Sequence, residues 1–288
     1  MEAPDQENGT GRGAIAPPAT DPGPAASPAA SPAASPAASP AVVPAVPPAG
    51  DGHPLTTLHL PGLTALTGRA HRPDGTGAPA EDIWRAVMSP AELQRAATYR
   101  LATDRRQFQH ARWLLRTALS RLAPVAPRDW EFTLSPHGKP AIHPRFGSDI
   151  EFSLSHSGGL CLIALTRGRP VGADIQHCAA LDGPESVGRL VRNSLSPPER
   201  AGMAHLTGRR RRDAVVQLWT LKEAYAKAVG LGLRLPFGEI AFRPGGPTGI
   251  ALQPSARIPD PGRWDCYAPP APEGFRMALC TARPAAGR

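Results

Sequence analysis

The run Trp219-Thr220-Leu221-Lys222-Glu223-Ala224-Tyr225-Ala226-Lys227, continued by Ala228-Val229-Gly230-Leu231-Gly232-Leu233, decides how the chain is read. Ala, Leu, Lys and Glu favour helix. Gly230 and Gly232 supply the permissive backbone on which a helix ends. Helical spacing separates two faces. Ala214, Leu218, Leu221, Tyr225 and Ala228 form an apolar stripe, while Trp219, Glu223 and Lys227 recur every four residues on another face. A carboxylate and an ammonium therefore project together beside a large aromatic ring. Two readings stay open on the helix alone: an i,i+4 ion pair on a solvated face, or half of a binding site.

Working outward, Val171-Gly172-Ala173-Asp174-Ile175-Gln176 reads as a short strand with an acid among apolar neighbours. Such an acid needs a partner; a salt bridge, a helix cap or a metal would each serve. Before it, Ile150-Glu151-Phe152-Ser153-Leu154-Ser155 alternates, with Ile150, Phe152 and Leu154 inward. His156-Ser157-Gly158-Gly159 ends that strand, and Leu160 to Leu165 forms a buried one. Short turns join these runs, so an antiparallel meander is expected. Ser135-Pro136-His137-Gly138-Lys139-Pro140 is a turn that presents Lys139.

Ser89-Pro90-Ala91-Glu92 opens a helix. It runs to about Leu122, with a break expected near Ala102-Thr103-Asp104. Arg95, Arg100, Arg105, Arg106, Arg112 and Arg116 lie mostly off its buried face. Arginine forks suit phosphate, and arginine runs also make ordinary solvated faces. Leu55 to Leu60 reads as an entry strand and residues 62–80 as a loop. Leu195-Ser196-Pro197-Pro198-Glu199-Arg200 is a second cap-like start, and Arg209 to Arg212 is an exposed basic cluster. Glu239–Arg243, Trp264–Tyr267 and Phe275–Cys280 read as strands. The expected fold is α+β: two similar lobes, residues 55–170 and 171–288, each a helix packed on a small antiparallel sheet in a pseudo-twofold arrangement.

Residues 1–54 differ in kind. They hold 13 of the 36 prolines and repeat Ser-Pro at Ser27, Ser31, Ser35 and Ser39. Without aromatics they cannot bury enough apolar surface to offset ordering, so a disordered, partly polyproline-like tail is expected. No basic start followed by an apolar stretch opens the chain, so no secretory leader is expected. Setting aside the tail's five acids and one base leaves 31 basic and 19 acidic residues, a net of +12. That charge favours anionic partners. Cys161, Cys178, Cys266 and Cys280 show no Cys-x-x-Cys pair, so neither a zinc site nor a disulfide framework is expected. Reduced thiols, a cytoplasmic location and no membrane span follow as expectations.

Two carboxylates from different elements are the usual protein share of a magnesium site, with waters and phosphate oxygens completing the shell. Asp174 and Glu223, with Lys139, Lys227 and His156-Ser157 as phosphate ligands, describe a site for a metal-bound diphosphate. Gly172-Ala173-Asp174-Ile175-Gln176 and Trp219-Thr220-Leu221-Lys222-Glu223-Ala224 together resemble the signature motifs of the 4′-phosphopantetheinyl transferases, of the large two-lobed, surfactin-synthetase-activating type. Gly138-Lys139-Pro140, Phe152 to Gly158 and Leu195 to Glu199 are similar to three further motifs, in the same order.

The resemblance implies transfer of the phosphopantetheine arm of coenzyme A to a serine of an apo carrier protein, with release of adenosine 3′,5′-bisphosphate. It implies magnesium on Asp174 and Glu223, with Gln176 at a third position where bacterial members usually carry an acid. It further implies Lys227, Ser155 and His156 on coenzyme A phosphates, and Lys139 with Arg95 or Arg112 on the adenosine side. Lys222 would help neutralise the leaving phosphate, and Glu223 would be the favoured base, a role that Glu199 or a metal-bound water could share. The expected partners are acidic acyl or peptidyl carrier proteins, met by a monomer that binds neither nucleic acid nor membrane. The competing readings are a non-catalytic carrier-protein or coenzyme A binder, and a basic nucleic-acid-binding protein; the latter lacks aromatic platforms and a recognition motif.

Overall fold

A computed structural model describes residues 56–69, 81–181, 183–255, 258 and 260–284. The Pro/Ala/Ser-rich tail lies outside these residues. Strands β1 (Thr56–Leu60) and β2 (Leu63–Arg69) come first. Helices α1 (Glu81–Val87), α2 (Pro90–Ala97) and α3 (Ala102–Ser120) follow. Then come β3 (Phe132–Leu134), β4 (Pro140–Ile142), β5 (Ile150–Ser157), β6 (Leu160–Arg167) and β7 (Val171–His177). Helices α4 (Pro184–Ser194), α5 (Pro197–Gly202) and α6 (Gly208–Val229) precede β8 (Phe242–Pro244), β9 (Ile250–Leu252), β10 (Trp264–Tyr267) and β11 (Phe275–Ala282).

Two antiparallel sheets dominate, ordered β1-β2-β6-β5 and β10-β11-β7. Side-chain alternation along each strand builds the layers. On β6, Cys161, Ile163 and Leu165 pack with Leu114, Leu115, Ala118 and Leu119 of α3. Leu160, Leu162 and Ala164 point the other way, onto Val171, Ala173 and Ile175 of β7 and Met277 and Leu279 of β11. The outer face of the second sheet, with Ala278, Cys266 and Cys280, meets Ala224, Tyr225 and Ala228 of α6. The order is thus α3, first sheet, second sheet, α6, and the two halves share the plan of a helix on an antiparallel sheet, with four strands against three. Each fully buried Leu, Ile or Phe of these layers contributes about 1.5–3 kcal/mol.

Five expectations change. Leu63–Arg69 is a strand where a loop was expected, and it pairs with β6 from Thr64↔Leu165 to Arg69↔Leu160. β2 and β5 take both sides of β6, so β7 cannot continue the meander beside it; β7 pairs instead with β11, about a hundred residues later. The helical break falls at Thr98–Leu101, between α2 and α3, rather than at Ala102-Thr103-Asp104. Of the expected strand Glu239–Arg243, Glu239 ends a helical turn (Phe237–Glu239) and only Phe242 and Arg243 are strand, at the start of β8. Cys266 and Cys280 face each other across β10 and β11 and are joined as a disulfide, while Cys161 and Cys178 are free. Neighbouring register, not sequence spacing, brings that pair together.

The cap expected at Ser89 is a reciprocal one. Ser89 Oγ accepts the Glu92 N–H at 3.3 Å, and Glu92 Oε2 accepts the Ser89 N–H at 3.0 Å. Glu92 also holds Arg116 at 2.8 Å, and the carbonyls of Pro127 and Trp130 accept two further bonds from that guanidinium. Arg116 is fully buried, a correction to its expected place off the helix's packed face. Among the described residues no helix is long and apolar enough to cross a membrane.

Candidate active site between strand β7 and helix α6

Residue alternation turns Gly172, Asp174 and Gln176 of β7 towards α6, because Ala173 and Ile175 face the opposite core. At Gly172 the helix backbone occupies the space a side chain would need: a Cβ there would lie 1.8 Å from the Ala224 carbonyl oxygen and 2.5 Å from the Ala228 nitrogen. That contact puts the next outward residue, Asp174, beside the Glu223–Lys227 face of α6. A cleft of about 340 Å³ is lined by Leu154, Ser155, His156, Asp174, Gln176, Trp219, Glu223 and Lys227. The two acids singled out in the sequence therefore share one cleft, and the polar face of α6 is not a solvated one.

Asp174 is buried, and its two oxygens differ. Oδ1 accepts bonds from Lys227 Nζ and Ser155 Oγ, both at 2.7 Å. Oδ2 is buried with no hydrogen-bond partner. A buried, unpartnered carboxylate oxygen is costly, and a cation satisfies it. Glu223 has its pKa raised, first by desolvation and then by the Asp174 charge, with Lys227 opposing. A carboxylate whose charge is disfavoured by burial and by a second carboxylate beside it makes, with that neighbour, a donor set that a divalent cation stabilises. Among the described residues no group of three or more His, Cys, Asp and Glu could hold a metal. The donors are these two carboxylates with the Gln176 amide, a set that fits a magnesium ion keeping water and substrate oxygens in its shell.

Two further clefts adjoin this one. One, of about 210 Å³, is lined by Gly138, Lys139, Pro140, Ser153, Leu154, Lys227 and Gly230 among others. Lys139 Nζ donates to the Val171 carbonyl at 3.1 Å, and desolvation lowers its pKa against the pull of Glu151. The other, of about 500 Å³, brings Arg95, Arg112 and His156 together with Tyr99, Phe108 and Phe132. Arg112 stacks over Phe108 at 5.2 Å, and Arg95 over Tyr99 at 5.8 Å. Sequence periodicity places Phe108 on the buried helix face and Phe132 in a strand, without assigning either ring or Tyr99 to a site; the nearness of Tyr99 and Phe108 to the arginines of α2 and α3 was the available signal. His156 stands at the rim, where desolvation, and then Lys227, lower its pKa.

Three sequence assignments do not fit. Lys222 is not in the cleft. Its ammonium is 0 % exposed and donates to the carbonyls of Ser194, Phe237 and Ile240 at 2.8, 2.8 and 2.6 Å. Glu199 Oε2 lies 2.6 Å from the same nitrogen and also accepts the Ser196 N–H and hydroxyl, while Oε1 takes the Phe242 N–H. Glu199 is thus the helix cap of α5 and the buried counter-ion of Lys222, with both oxygens engaged inside the fold and outside the cleft lining. Ser155, expected on coenzyme A, has its hydroxyl engaged by Asp174 Oδ1 and the Ile175 N–H.

The family model described as the 4′-phosphopantetheinyl transferase superfamily matches residues 170–280, which hold β7, α6 and β11. The 4′-phosphopantetheinyl transferase HetI of Nostoc sp. is 32% identical over 196 residues, 66% of this chain and 80% of its own length. A putative 4′-phosphopantetheinyl transferase of Synechocystis sp. is 33% identical over 150 residues, 52% of this chain and 60% of that one. A solved holo-(acyl-carrier-protein) synthase from Bacillus anthracis is 22% identical, covering 39% of this chain and 94% of that one with a TM-score of 0.33. The chain belongs to the 4′-phosphopantetheinyl transferase superfamily.

Proposed function

We propose that this chain transfers the 4′-phosphopantetheine arm of coenzyme A to a serine hydroxyl of an apo carrier protein. The observation that carries the reading is the shared cleft of Asp174, Glu223 and Lys227, with Asp174 Oδ2 buried and unpartnered. The serine oxygen forms a bond to the phosphorus nearer the pantetheine arm. The bond from that phosphorus to the bridging oxygen breaks, and adenosine 3′,5′-bisphosphate leaves with the electron pair. Bound at Asp174 and Glu223, with Gln176 or water beside them, magnesium would supply charge neutralisation for the diphosphate. Lys227 adds a positive charge at the same place, and His156 offers an N–H at the rim. Lys139, Arg95 and Arg112 line the two side clefts, which suit the adenosine end with its phosphate. Glu223 is the reading's base for the serine proton, a role that a bound cation would weaken by lowering its pKa. Most of the rate then comes from positioning and charge stabilisation.

The finer assignments belong to the same reading. We take residues 55–170 and 171–288 as a pseudo-twofold pair of lobes, acting as a monomer with the site between them. The basic body suits acidic carriers. Incubation with coenzyme A, magnesium and an apo carrier tests the proposal by mass spectrometry. The carrier should gain one phosphopantetheine arm, and lose that gain when magnesium is chelated. Coenzyme A binding with no mass gain on acyl and peptidyl carriers would make the protein a binder only.

A further inference from the structure

The seam between the two sheets is made by hydroxyls. On β5, the inward alternation of Phe152 and Leu154 leaves Ser153, Ser155 and Ser157 on the face towards β7. Each accepts a backbone N–H of that strand: Ser153 Oγ from Ala173 at 3.0 Å, Ser155 Oγ from Ile175 at 3.3 Å, and Ser157 Oγ from His177 at 3.0 Å. The three bonds have the two-residue period of both strands, so one register fixes all of them. They close the edge of β7 that β11 does not cover.

Only the middle serine has a second role. The Ser155 hydroxyl accepts the Ile175 N–H, and its own hydrogen goes to Asp174 Oδ1 at 2.7 Å. Lys227 binds the same oxygen from the other side. Oδ1 is thereby saturated, and Oδ2 is left as the open donor in the cleft.

We propose that Ser155 is a positioning residue that aims Asp174 at the cation, and not a ligand of coenzyme A. The inference rests on the metal-site reading given above and adds to it the residue that sets the carboxylate's orientation. A hydroxyl that anchors a ligating carboxylate typically changes metal affinity 10- to 100-fold when removed. Ser157 is the internal control: contrary to its sequence assignment as a phosphate ligand it does not line the cleft, and its hydroxyl makes the same kind of seam bond without touching Asp174.

The test is direct binding of Mn²⁺, followed by electron paramagnetic resonance, together with coenzyme A binding in chelator by calorimetry. Ser155→Ala should weaken Mn²⁺ about tenfold or more and leave metal-free coenzyme A affinity within about twofold, a ratio worth under about 0.5 kcal/mol. Ser157→Ala should leave both unchanged. Ser155→Thr, which keeps the hydroxyl, should restore Mn²⁺ affinity. Melting curves establish that each variant is folded; where Ser155→Ala is not, Ser155→Cys replaces it, a thiol being a weak donor. Wild-type Mn²⁺ affinity in the folded Ala or Cys variant overturns the inference alone. Weakened coenzyme A binding with Mn²⁺ unchanged makes Ser155 a substrate ligand instead. No Mn²⁺ binding by the wild type overturns this inference and the metal-site reading together.

Discussion

Gly172 and Ala224 are packed so closely that a single added methyl at the glycine would sit 1.8 Å from the helix carbonyl oxygen. The contact fixes the spacing between β7 and α6, and with it the distance across which Asp174 and Glu223 act together. Gly172→Ala should force the two elements apart and cost about 1–3 kcal/mol of stability. Misplacement by about 1 Å typically costs on the order of a hundredfold in rate. We therefore expect kcat to fall about that much more than melting alone explains. A folded variant with wild-type kcat would show that this contact does not set the site.

The strain between the two acids should appear as a pH-dependent stability difference. Glu223 is harder to ionise when folded, from desolvation first and Asp174 second, than at its ordinary value near 4.5. Its contribution to stability is fully present below that ordinary value and is lost as pH rises through the raised one. In chelator, Glu223→Gln should melt higher than wild type at pH 7, and the gain should vanish below about pH 4. Activity should be lost at every pH. Equal melting temperatures at pH 7 would remove the conflict between the carboxylates.

Lys222 joins α6 to the segments ending α4 and preceding β8, through three buried backbone carbonyls. Lys222→Met leaves Glu199 buried without its counter-ion and should cost about 3–5 kcal/mol. Adding Glu199→Leu should recover part of that loss, since it removes the orphaned charge, though the α5 cap goes with it. Urea melts of the single and double variants measure this. A folded Lys222→Met protein should keep its Michaelis constant for coenzyme A; a large rise in that constant would return the lysine to substrate binding.

Gln176 stands on the same face of β7 as Asp174, one strand repeat further on, and lines the cleft. A neutral amide oxygen binds magnesium more weakly than a carboxylate. Gln176→Glu should lower the magnesium concentration for half-maximal activity severalfold. Equal half-saturation in the two proteins would mean that position 176 does not meet the metal.

Arg209 to Arg212 open α6 and oppose its dipole, at a cost of about 0.3–1 kcal/mol for each uncompensated charge. Asp213 and Glu273 offset Arg209, at 3.7 Å each, while Arg210 and Arg211 are exposed. About 20 Å of helix separates this cluster from Glu223, within reach of one docked carrier domain. Arg210→Glu with Arg211→Glu should raise the Michaelis constant for an acidic carrier severalfold, weaken its salt dependence, and raise the melting temperature slightly. A carrier constant indifferent to both the substitutions and salt would place docking elsewhere.

Much of the site was legible because its residues repeat with the period of their own element. Trp219, Glu223 and Lys227 line one cleft as helical spacing requires, and Asp174 was marked by its apolar flanks. Lys222 was misread although the same spacing was informative. It lies four residues after Leu218 and three before Tyr225, hence on the packed side of α6. The serines at 153, 155 and 157 were visible as an alternation, but their partners on β7 were not, since side-chain bonds between strands leave no mark in composition. The pairing of β7 with β11 and the strand Leu63–Arg69 were hidden for a related reason. Both are specified by which edge remains open once other strands have paired.

The hydroxyl row also bears on the order in which the protein is made. β5 leaves the ribosome before β7, so a surface able to occupy the bare N–H groups of β7 already exists when that strand emerges. An unprotected strand edge invites pairing with other chains. A circular permutant that begins at β7 would reverse this sequence, synthesising the vulnerable edge ahead of its cover, and should aggregate during expression even where its final structure is unchanged.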